Sequence, residues 1–159
     1  MRLRYHPDAV ELYDIHPLFA ELLAELPRAA ARHEGAHARL YPDPFGADAS
    51  EEDVADWREH VEPELAGHFA SCRERVAADL LAHTAAGGKP RFYIKGAHLA
   101  AWLNALNQAR LVIVEENKFG ERDLSGAEPP DLSTRRGLSL LKVHFYAHLQ
   151  ELLVEAAGG

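Results

Sequence analysis

Hydrophobic and polar residues alternate at the start of the chain, and this alternation predicts strands. Leu3 and Tyr5 share one side of a first strand, while Val10 and Leu12 share one side of a second. Residues 6–9 between them contain proline and aspartate, which favour a turn, so the two runs predict a short hairpin. A later run of strand-forming residues, RFYIK at 91–95, is predicted to join this hairpin as a third strand.

Apolar residues at spacings of three and four then predict helices. Pro17 opens the first helix at a position where its missing N–H costs nothing, and Pro27 is expected to kink or split that helix. Ser50 is the predicted N-cap of the next helix, with Asp53 three residues later as a variant capping box. The apolar stripe of this helix passes Pro63 without losing phase, which predicts one long kinked helix or two nearly collinear ones.

Two further helices complete the predicted fold. One spans roughly residues 97–116, and the last runs from residue 133 or 134 to about 156. The last helix is apolar on most sides between residues 138 and 154, which predicts the central position in the bundle. We therefore predict a single domain over residues 1–159, α+β but predominantly α. It is a helical bundle with a small antiparallel sheet made of the N-terminal hairpin plus one later strand.

Composition narrows the classes of function. The net charge of −8 disfavours binding to a phosphate backbone, so no nucleic-acid partner is expected. The adjacent Arg135 and Arg136 are the best candidate for a basic patch, and we interpret them as solvated charges at a helix start. No apolar run approaches a membrane span or a signal core, which predicts a cytoplasmic protein without a membrane partner.

Cys72 is the single cysteine of the chain, so an intramolecular disulfide is excluded. It occupies an apolar phase of the long helix. We interpret it as a buried and inert thiol, because burial in apolar surroundings raises the pKa of a cysteine. A redox role would require exposure, or a cysteine from a partner chain.

Residues 33–37 read HEGAH, which matches the H-E-x-x-H pattern of zinc peptidases. In that pattern His33 and His37 would bind zinc from one helix face, and Glu34 would activate the bound water. Gly35 weakens a helix, however, and the segment runs into a loop rich in proline and glycine. We therefore interpret HEGAH as a helix terminus and predict no metal.

His144 and His148 form a second pair spaced four residues apart, on the last predicted helix. If they met His33 and His37 across the bundle, four imidazoles could hold a transition metal. The simpler interpretation, which we prefer, is semi-buried histidines that donate to carbonyls or carboxylates. The chain shows no Ser-His-Asp order, phosphate loop or dinucleotide fingerprint, so we predict neither a catalytic site nor a cofactor.

Arg110 is the most informative residue of the third long helix. It projects from the middle of the apolar face of that helix, with Asn107 on the flank, and a guanidinium there needs a partner. One explanation is an internal pair with Asp43 or with a glutamate of the long helix, and this is the explanation that we favour. The other is a groove that receives an acidic partner or ligand, in which Arg110 and Asn107 are the predicted binding residues. The apolar face itself consists of Leu99, Trp102, Leu103, Leu106, Ile113 and Val114.

The same helix carries a family resemblance. Residues 101–113, AWLNALNQARLVI, contain the pattern W-L-x-x-L-N-x-x-R-L, which here falls on Trp102, Leu103, Leu106, Asn107, Arg110 and Leu111. An L-[FY]-P motif followed by an acidic stretch also precedes the long helix, at residues 40–43. These features resemble a bacterial family catalogued as a domain of unknown function, which includes the actinomycete oxidative-stress regulators (AosR-like).

The resemblance implies small cytoplasmic proteins without established enzymatic activity, which are often encoded near the Clp protease adaptor. The regulator label implies protein partners and, in some members, a cysteine-based redox response, from which this chain departs because Cys72 has no companion. We therefore predict a non-enzymatic regulatory or adaptor protein that acts through a protein partner of unknown identity, with a homodimer as one option. The alternative is a His-rich metal-binding protein, up to a zinc-dependent hydrolase that uses HEGAH.

Overall fold

Three strands form one antiparallel sheet with the order β1-β2-β3. They span Arg2–His6 (β1), Ala9–Tyr13 (β2) and Phe92–Lys95 (β3). The structure, a computed structural model, describes residues 1–32, 35–42, 44–46, 48–84 and 90–158. Val10 and Leu12 of β2 pair with Ile94 and Phe92 of β3, and all four side chains are buried under the helices. Both the hairpin and the third strand are therefore confirmed.

Helix α1 spans Pro17–Ala30 and begins as the sequence predicts. The imidazole Nδ1 of His16 accepts a hydrogen bond from the Leu18 amide at 3.2 Å, so His16 is the N-cap. The helix runs through Pro27 to its end three residues later, so the predicted split is wrong. Because Pro27 lies in the last turn, its missing N–H removes one bond and leaves the rest of the helix unaffected. The four-residue α2, His37–Leu40, follows after a turn.

The long helical run consists of α3 (Glu51–Asp56), a π-helical turn (Trp57–Val61) and α4 (Glu62–Thr84). Its predicted cap is confirmed, because the Asp53 amide donates to Ser50 Oγ at 3.1 Å. The Glu62 amide donates to the Trp57 carbonyl five residues earlier. This wider turn lies directly before Pro63, which cannot supply the usual bond to residue 59, so the run continues past the proline as a π turn.

Helix α5 (Leu99–Asn117) is the central helix of the bundle, preceded by a 3₁₀ turn at Gly96–His98. It packs against α1, α4 and α7. The short α6 (Glu121–Leu124) and then α7 (Arg135–Gly158) follow. The prediction that the last helix is central is therefore wrong, since α7 packs mainly on one side of α5.

Helical spacing predicts that α7 turns one stripe to the core: Leu138, Leu141, Phe145, Leu149 and Leu152. The buried residues of α7 match this stripe only in part. Leu138 opened that stripe but is 39% exposed. Phe145 and Leu149 are buried as predicted, and the other core side chains of α7 are Leu140, Val143, Tyr146 and Leu153. The fold class is nevertheless confirmed as predominantly α, α+β, with a small antiparallel sheet. Within the described ranges, no helix is both long and apolar enough to cross a membrane.

Candidate functional site

The signature tryptophan of α5 joins α5 to α4. Trp102 is fully buried, and its indole N–H donates to Asp79 Oδ2 at 2.9 Å. His98 Nδ1 lies 2.9 Å from the same carboxylate. An aspartate beside a histidine is also found in catalytic triads, but here the third group is an indole, which can only donate. We therefore assign this cluster to the packing of α4 against α5.

A second polar contact between α4 and α5 lies around Gln108, which is only 1% exposed. The Arg73 guanidinium donates to Gln108 Oε1 at 2.7 Å, and Gln108 Nε2 donates to Asn104. Both ends of the buried amide are thus hydrogen-bonded, as a polar group in a core requires. These hydrogen bonds join α4 to the side of α5 that lies away from Arg110.

Arg110 lies half-buried between α5 and α7. Its Nη1 donates to Gln150 Oε1 of α7 at 2.6 Å. Its Nε is buried and has no hydrogen-bond partner among the described residues. Within the same part of the chain, no carboxylate lies within 4.0 Å of the guanidinium. The guanidinium of Arg110 therefore has one neutral amide as its hydrogen-bond partner among the described residues, whereas a half-buried guanidinium usually has several acceptors or a carboxylate.

A groove of about 430 Å³ opens beside Arg110, and we call it the α5–α7 groove. Its remaining lining comes from α7: Ala147, Gln150, Glu151, Val154 and Glu155. Val154 is 55% exposed, so the groove offers an apolar contact next to a cation. The exposed Glu151 and Glu155 at its rim disfavour a strongly acidic ligand.

The favoured explanation for Arg110 needs correction. The observed partner is Gln150 of the last helix, not a glutamate of the long helix, because α7 and not α4 packs along this side of α5. Asp43, the other predicted partner, lies outside the described residues. Asn107 is exposed on α5 and does not line the α5–α7 groove.

The HEGAH segment does not form one continuous helix. Helix α1 ends at Ala30 and α2 begins only at His37, with Gly35 and Ala36 in a turn. His33 and Glu34 lie outside the described residues. His37 Nε2 lies 3.5 Å from Glu62, and its ring packs on Tyr41 at 4.9 Å between centroids. Among the described residues, Gly35 and Ala36 therefore do not continue the helix on which a zinc-peptidase motif would lie.

The two histidines of α7 also have separate surroundings. His148 is exposed and lies 3.9 Å from Glu151, whereas His144 is half-buried and its Nε2 lacks a hydrogen-bond partner among the described residues. The expected donation to a carbonyl or carboxylate is therefore not seen at this nitrogen. No three His, Cys, Asp or Glu side chains in the described ranges meet in a way that could hold a metal ion.

Cys72 is buried, as predicted, and is 5% exposed. Burial raises the pKa of its thiol, and the positive charges of Arg75 and Arg73 offset only part of this effect. Its sulfur lies 3.7 Å from His68 Nε2. A thiol in this position has little thiolate at neutral pH and little access to an oxidant.

Glu11 is a site residue that the sequence interpretation missed. It points to the outer face of the sheet, yet it is only 1% exposed because long side chains surround it. Its carboxylate contacts Arg4 and His6 at 3.3 Å, Arg91 at 3.2 Å and the Tyr93 hydroxyl at 3.0 Å. Burial by itself raises the pKa of Glu11, but the hydrogen bonds from Tyr93 and His6 and the two arginine charges outweigh it. The pKa of Glu11 is therefore lowered.

This lowered pKa predicts a pH-dependent contribution to stability. In the unfolded chain, Glu11 has about the ordinary glutamate pKa, near 4.3. The ionised group thus stabilises the fold above that pH, and this contribution is lost as pH falls through the lowered pKa. We expect Glu11→Gln to unfold at lower urea concentration than wild type at neutral pH. The gap should narrow as pH falls below the ordinary glutamate pKa and then through the lowered pKa of Glu11. The exposed Glu64→Gln is the control, and a Glu11→Gln gap that stays constant as the pH falls would contradict the prediction.

The basic pair at the start of α7 is not simply solvated. Arg136 donates to the Asn117 carbonyl at the end of α5, pairs with Asp123 at 3.1 Å and packs over the Phe119 ring at 4.5 Å. Arg135 is exposed. Arg136 is exposed at the start of α7, as predicted, but it also contacts the end of α5 and the start of α6.

These features define a mainly helical α+β protein whose central helix carries the W-L-x-x-L-N-x-x-R-L pattern and borders an open groove. Residues 7–157 match the family model described as Domain of unknown function (DUF2017), and the chain belongs to that family. No curated protein and no solved structure matches the chain. The predicted membership in a family of unknown function is thus confirmed.

Proposed function

We propose that this chain is a non-enzymatic regulatory or adaptor protein of the cytoplasm that acts by binding another protein at the α5–α7 groove. The observation that carries the proposal is Arg110, a half-buried guanidinium whose partner among the described residues is a neutral amide. Such a group gains more from an added acceptor than a fully paired arginine does. The exposed Val154 beside it supplies apolar area, which most protein contacts need.

The groove favours one kind of partner segment. A single acceptor oxygen, from a carboxylate or a backbone carbonyl, would receive Arg110, while an adjacent aliphatic side chain covers Val154. A run of acidic residues fits poorly, because Glu151 and Glu155 line the same groove. This refines the acidic partner expected from the sequence to an apolar segment with one acceptor.

The resemblance to the AosR-like oxidative-stress regulators supports a regulatory role, but the proposal does not include a cysteine switch. Cys72 is buried, its pKa is raised, and the chain has no second cysteine. Any control of the proposed protein contact would therefore act through the groove and not through a disulfide within this chain.

Arg110→Met tests the proposal, because methionine keeps the apolar stem and removes the charge and the donors. We expect the free energy of unfolding to change by less than about 1 kcal/mol, since only one hydrogen bond to a neutral amide is lost. We expect capture of the partner to fall sharply. The measurement is quantitative mass spectrometry of proteins retained from the source bacterium by wild-type and variant baits, alongside urea denaturation of both.

Arg135→Met is the matched control, since Arg135 is an exposed arginine at the start of α7 that does not line the α5–α7 groove. A protein retained by wild type and Arg135→Met but lost by Arg110→Met supports the proposed groove. The same test covers a homodimer, in which case untagged copies of this chain are the species retained. Equal retention of every protein by all three baits would contradict the proposal.

A further inference from the structure

Strand β1 has a free hydrogen-bonding edge. Among the described residues, it lies at the end of the sheet and pairs with β2 alone. A two-residue turn follows His6, so His6 and Ala9 form a hydrogen-bonded pair. Hydrogen-bonded pairs alternate along an antiparallel hairpin, and the next ones are Arg4 with Glu11 and Arg2 with Tyr13. The N–H and C=O groups of Leu3 and Tyr5 therefore point away from the sheet. Among the described residues neither has a backbone partner outside the hairpin.

The two faces of this edge differ in chemistry. Arg2, Arg4 and His6 lie on the outer face of the sheet, and all three are exposed. Tyr5 lies on the other face and is 57% exposed, which is high for a tyrosine in a sheet. It lines a groove of about 560 Å³ that extends to Leu99 and Ala156. The edge thus offers backbone groups, cations on one side and, on the other, a mainly apolar groove whose lining also includes Asp8 and Glu155.

The charge of the outer face is opposite to that of the chain. The protein carries a net charge of −8. The outer face nevertheless has more basic than acidic side chains: Arg2, Arg4, Arg91 and Lys95 against Glu11 and Asp14. Arg4 and Arg91 share the single carboxylate of Glu11, and the exposed Arg2 lies 3.6 Å from the exposed Asp14, so the cations on this face outnumber the carboxylates. An anionic strand beside β1 would complement this excess.

We propose that β1 receives a fourth strand, an extended segment of a partner protein in which acidic and apolar side chains alternate. Its backbone would bond to Leu3 and Tyr5, its acidic side chains would face Arg2 and Arg4, and its apolar side chains would enter the groove beside Tyr5. A second copy of β1 is a poor occupant, because its arginines would lie beside those of the first.

This proposal is independent of the α5–α7 groove, although the two grooves adjoin at Glu155. The α5–α7 groove disfavours an acidic run, whereas the β1 edge requires one. An Arg110→Met variant should therefore bind an acidic strand as wild type does, so failure of one proposal leaves the other standing.

The probe is the fluorescein-labelled peptide acetyl-Thr-Glu-Val-Glu-Val-Glu-Val-Thr-amide, titrated by fluorescence anisotropy. We expect saturable binding at about 50 mM salt that weakens at about 300 mM, because exposed charges are screened. The matched peptide with lysine in place of each glutamate should not bind. An oligothymidylate of similar length tests the other anionic occupant, a single-stranded nucleic acid, and tighter binding of it than of the acidic peptide would overturn the proposal.

Tyr5→Pro is the decisive variant. Proline removes the outward N–H of residue 5 and, on an edge strand, leaves the ladder to β2 intact. We expect about tenfold weaker peptide binding, equivalent to about 1.4 kcal/mol. Tyr5→Val keeps the N–H and controls for loss of the ring. Equal affinity of Tyr5→Pro and Tyr5→Val would overturn the proposal.

A measurement on the wild-type protein covers the case in which Tyr5→Pro does not fold. Amide hydrogen exchange, with and without the acidic peptide, should show slower exchange at Leu3 and Tyr5 when the peptide is bound. Slowing confined to other segments, or an absence of binding by the acidic peptide, would contradict a strand added at β1.

Discussion

Gly137→Ala is expected to lower the free energy of unfolding by at least about 3 kcal/mol, as overpacking against fixed atoms does. A Cβ atom at residue 137 would lie 1.8 Å from the carbonyl oxygen of Asp131. That oxygen cannot easily retreat, because it accepts bonds from the Thr134 hydroxyl at 2.9 Å and the Thr134 amide at 3.1 Å. The Gly137 amide in turn donates to Thr134 Oγ1 at 2.9 Å. Urea denaturation followed by circular dichroism measures the effect.

Gly67→Ala is the matched control for this substitution. Gly67 lies on an exposed side of α4, and a Cβ there would meet nothing within 4 Å. Alanine favours a helix interior over glycine by about 1 kcal/mol, so this variant should be more stable than wild type. Opposite signs at the two positions would show that close approach, not helix propensity, controls residue 137. A loss below about 1 kcal/mol in Gly137→Ala would instead mean that the loop before α7 rearranges cheaply.

Trp102→Phe is expected to cost about 2–3 kcal/mol of stability, the second largest effect. The substitution leaves a cavity at a fully buried position and removes the hydrogen bond to Asp79. Because Asp79 also contacts His98, the substitution should weaken the packing of α4 against α5. Thermal and urea denaturation would measure it.

Trp57 provides the comparison within the same chain. It is half-buried, and its indole nitrogen has no hydrogen-bond partner among the described residues. Trp57→Phe therefore loses no hydrogen bond and should cost less than about 1 kcal/mol. Equal costs at both tryptophans would mean that the contact with Asp79 contributes nothing measurable.

Much of the fold followed from local patterns. Strand alternation placed the hairpin and the RFYIK strand, because one face of the sheet is buried and the other is polar. Pro17 and the Ser50 cap indicated two helix starts. These features depend on residues close in sequence, so a single chain was enough to predict them.

The position of α7 did not follow, because its apolar residues surround most of the helix and leave its buried phase open. Leu138 and Leu140 were equally suitable for the core by sequence, and only the packing of α7 on α5 selects Leu140. The prediction of the partner of Arg110 was wrong for the same reason. A helix pattern shows that a charge is buried, but not which neighbouring helix faces it.

The polar contacts around Glu11 and Asp79 were missed for a different reason. Each joins groups far apart in the chain, such as Glu11 with Tyr93 and Asp79 with Trp102. Strand alternation put Glu11 on the solvent side, and its burial comes from arginine and tyrosine side chains of two other segments. No local signal reports that kind of burial.

The order of pairing in the sheet also bears on how the molecule folds. The β1–β2 hairpin closes over two residues, so it can form early. Strand β3 pairs Phe92 with Leu12, which requires closure of a loop of about eighty residues. The β2–β3 pairing, like the contact of Tyr146 with Leu22 across 124 residues, is therefore expected to form after the local contacts. Because β3 lies just before α5, the N-terminal hairpin joins the sheet only when the helical bundle has brought β3 to it.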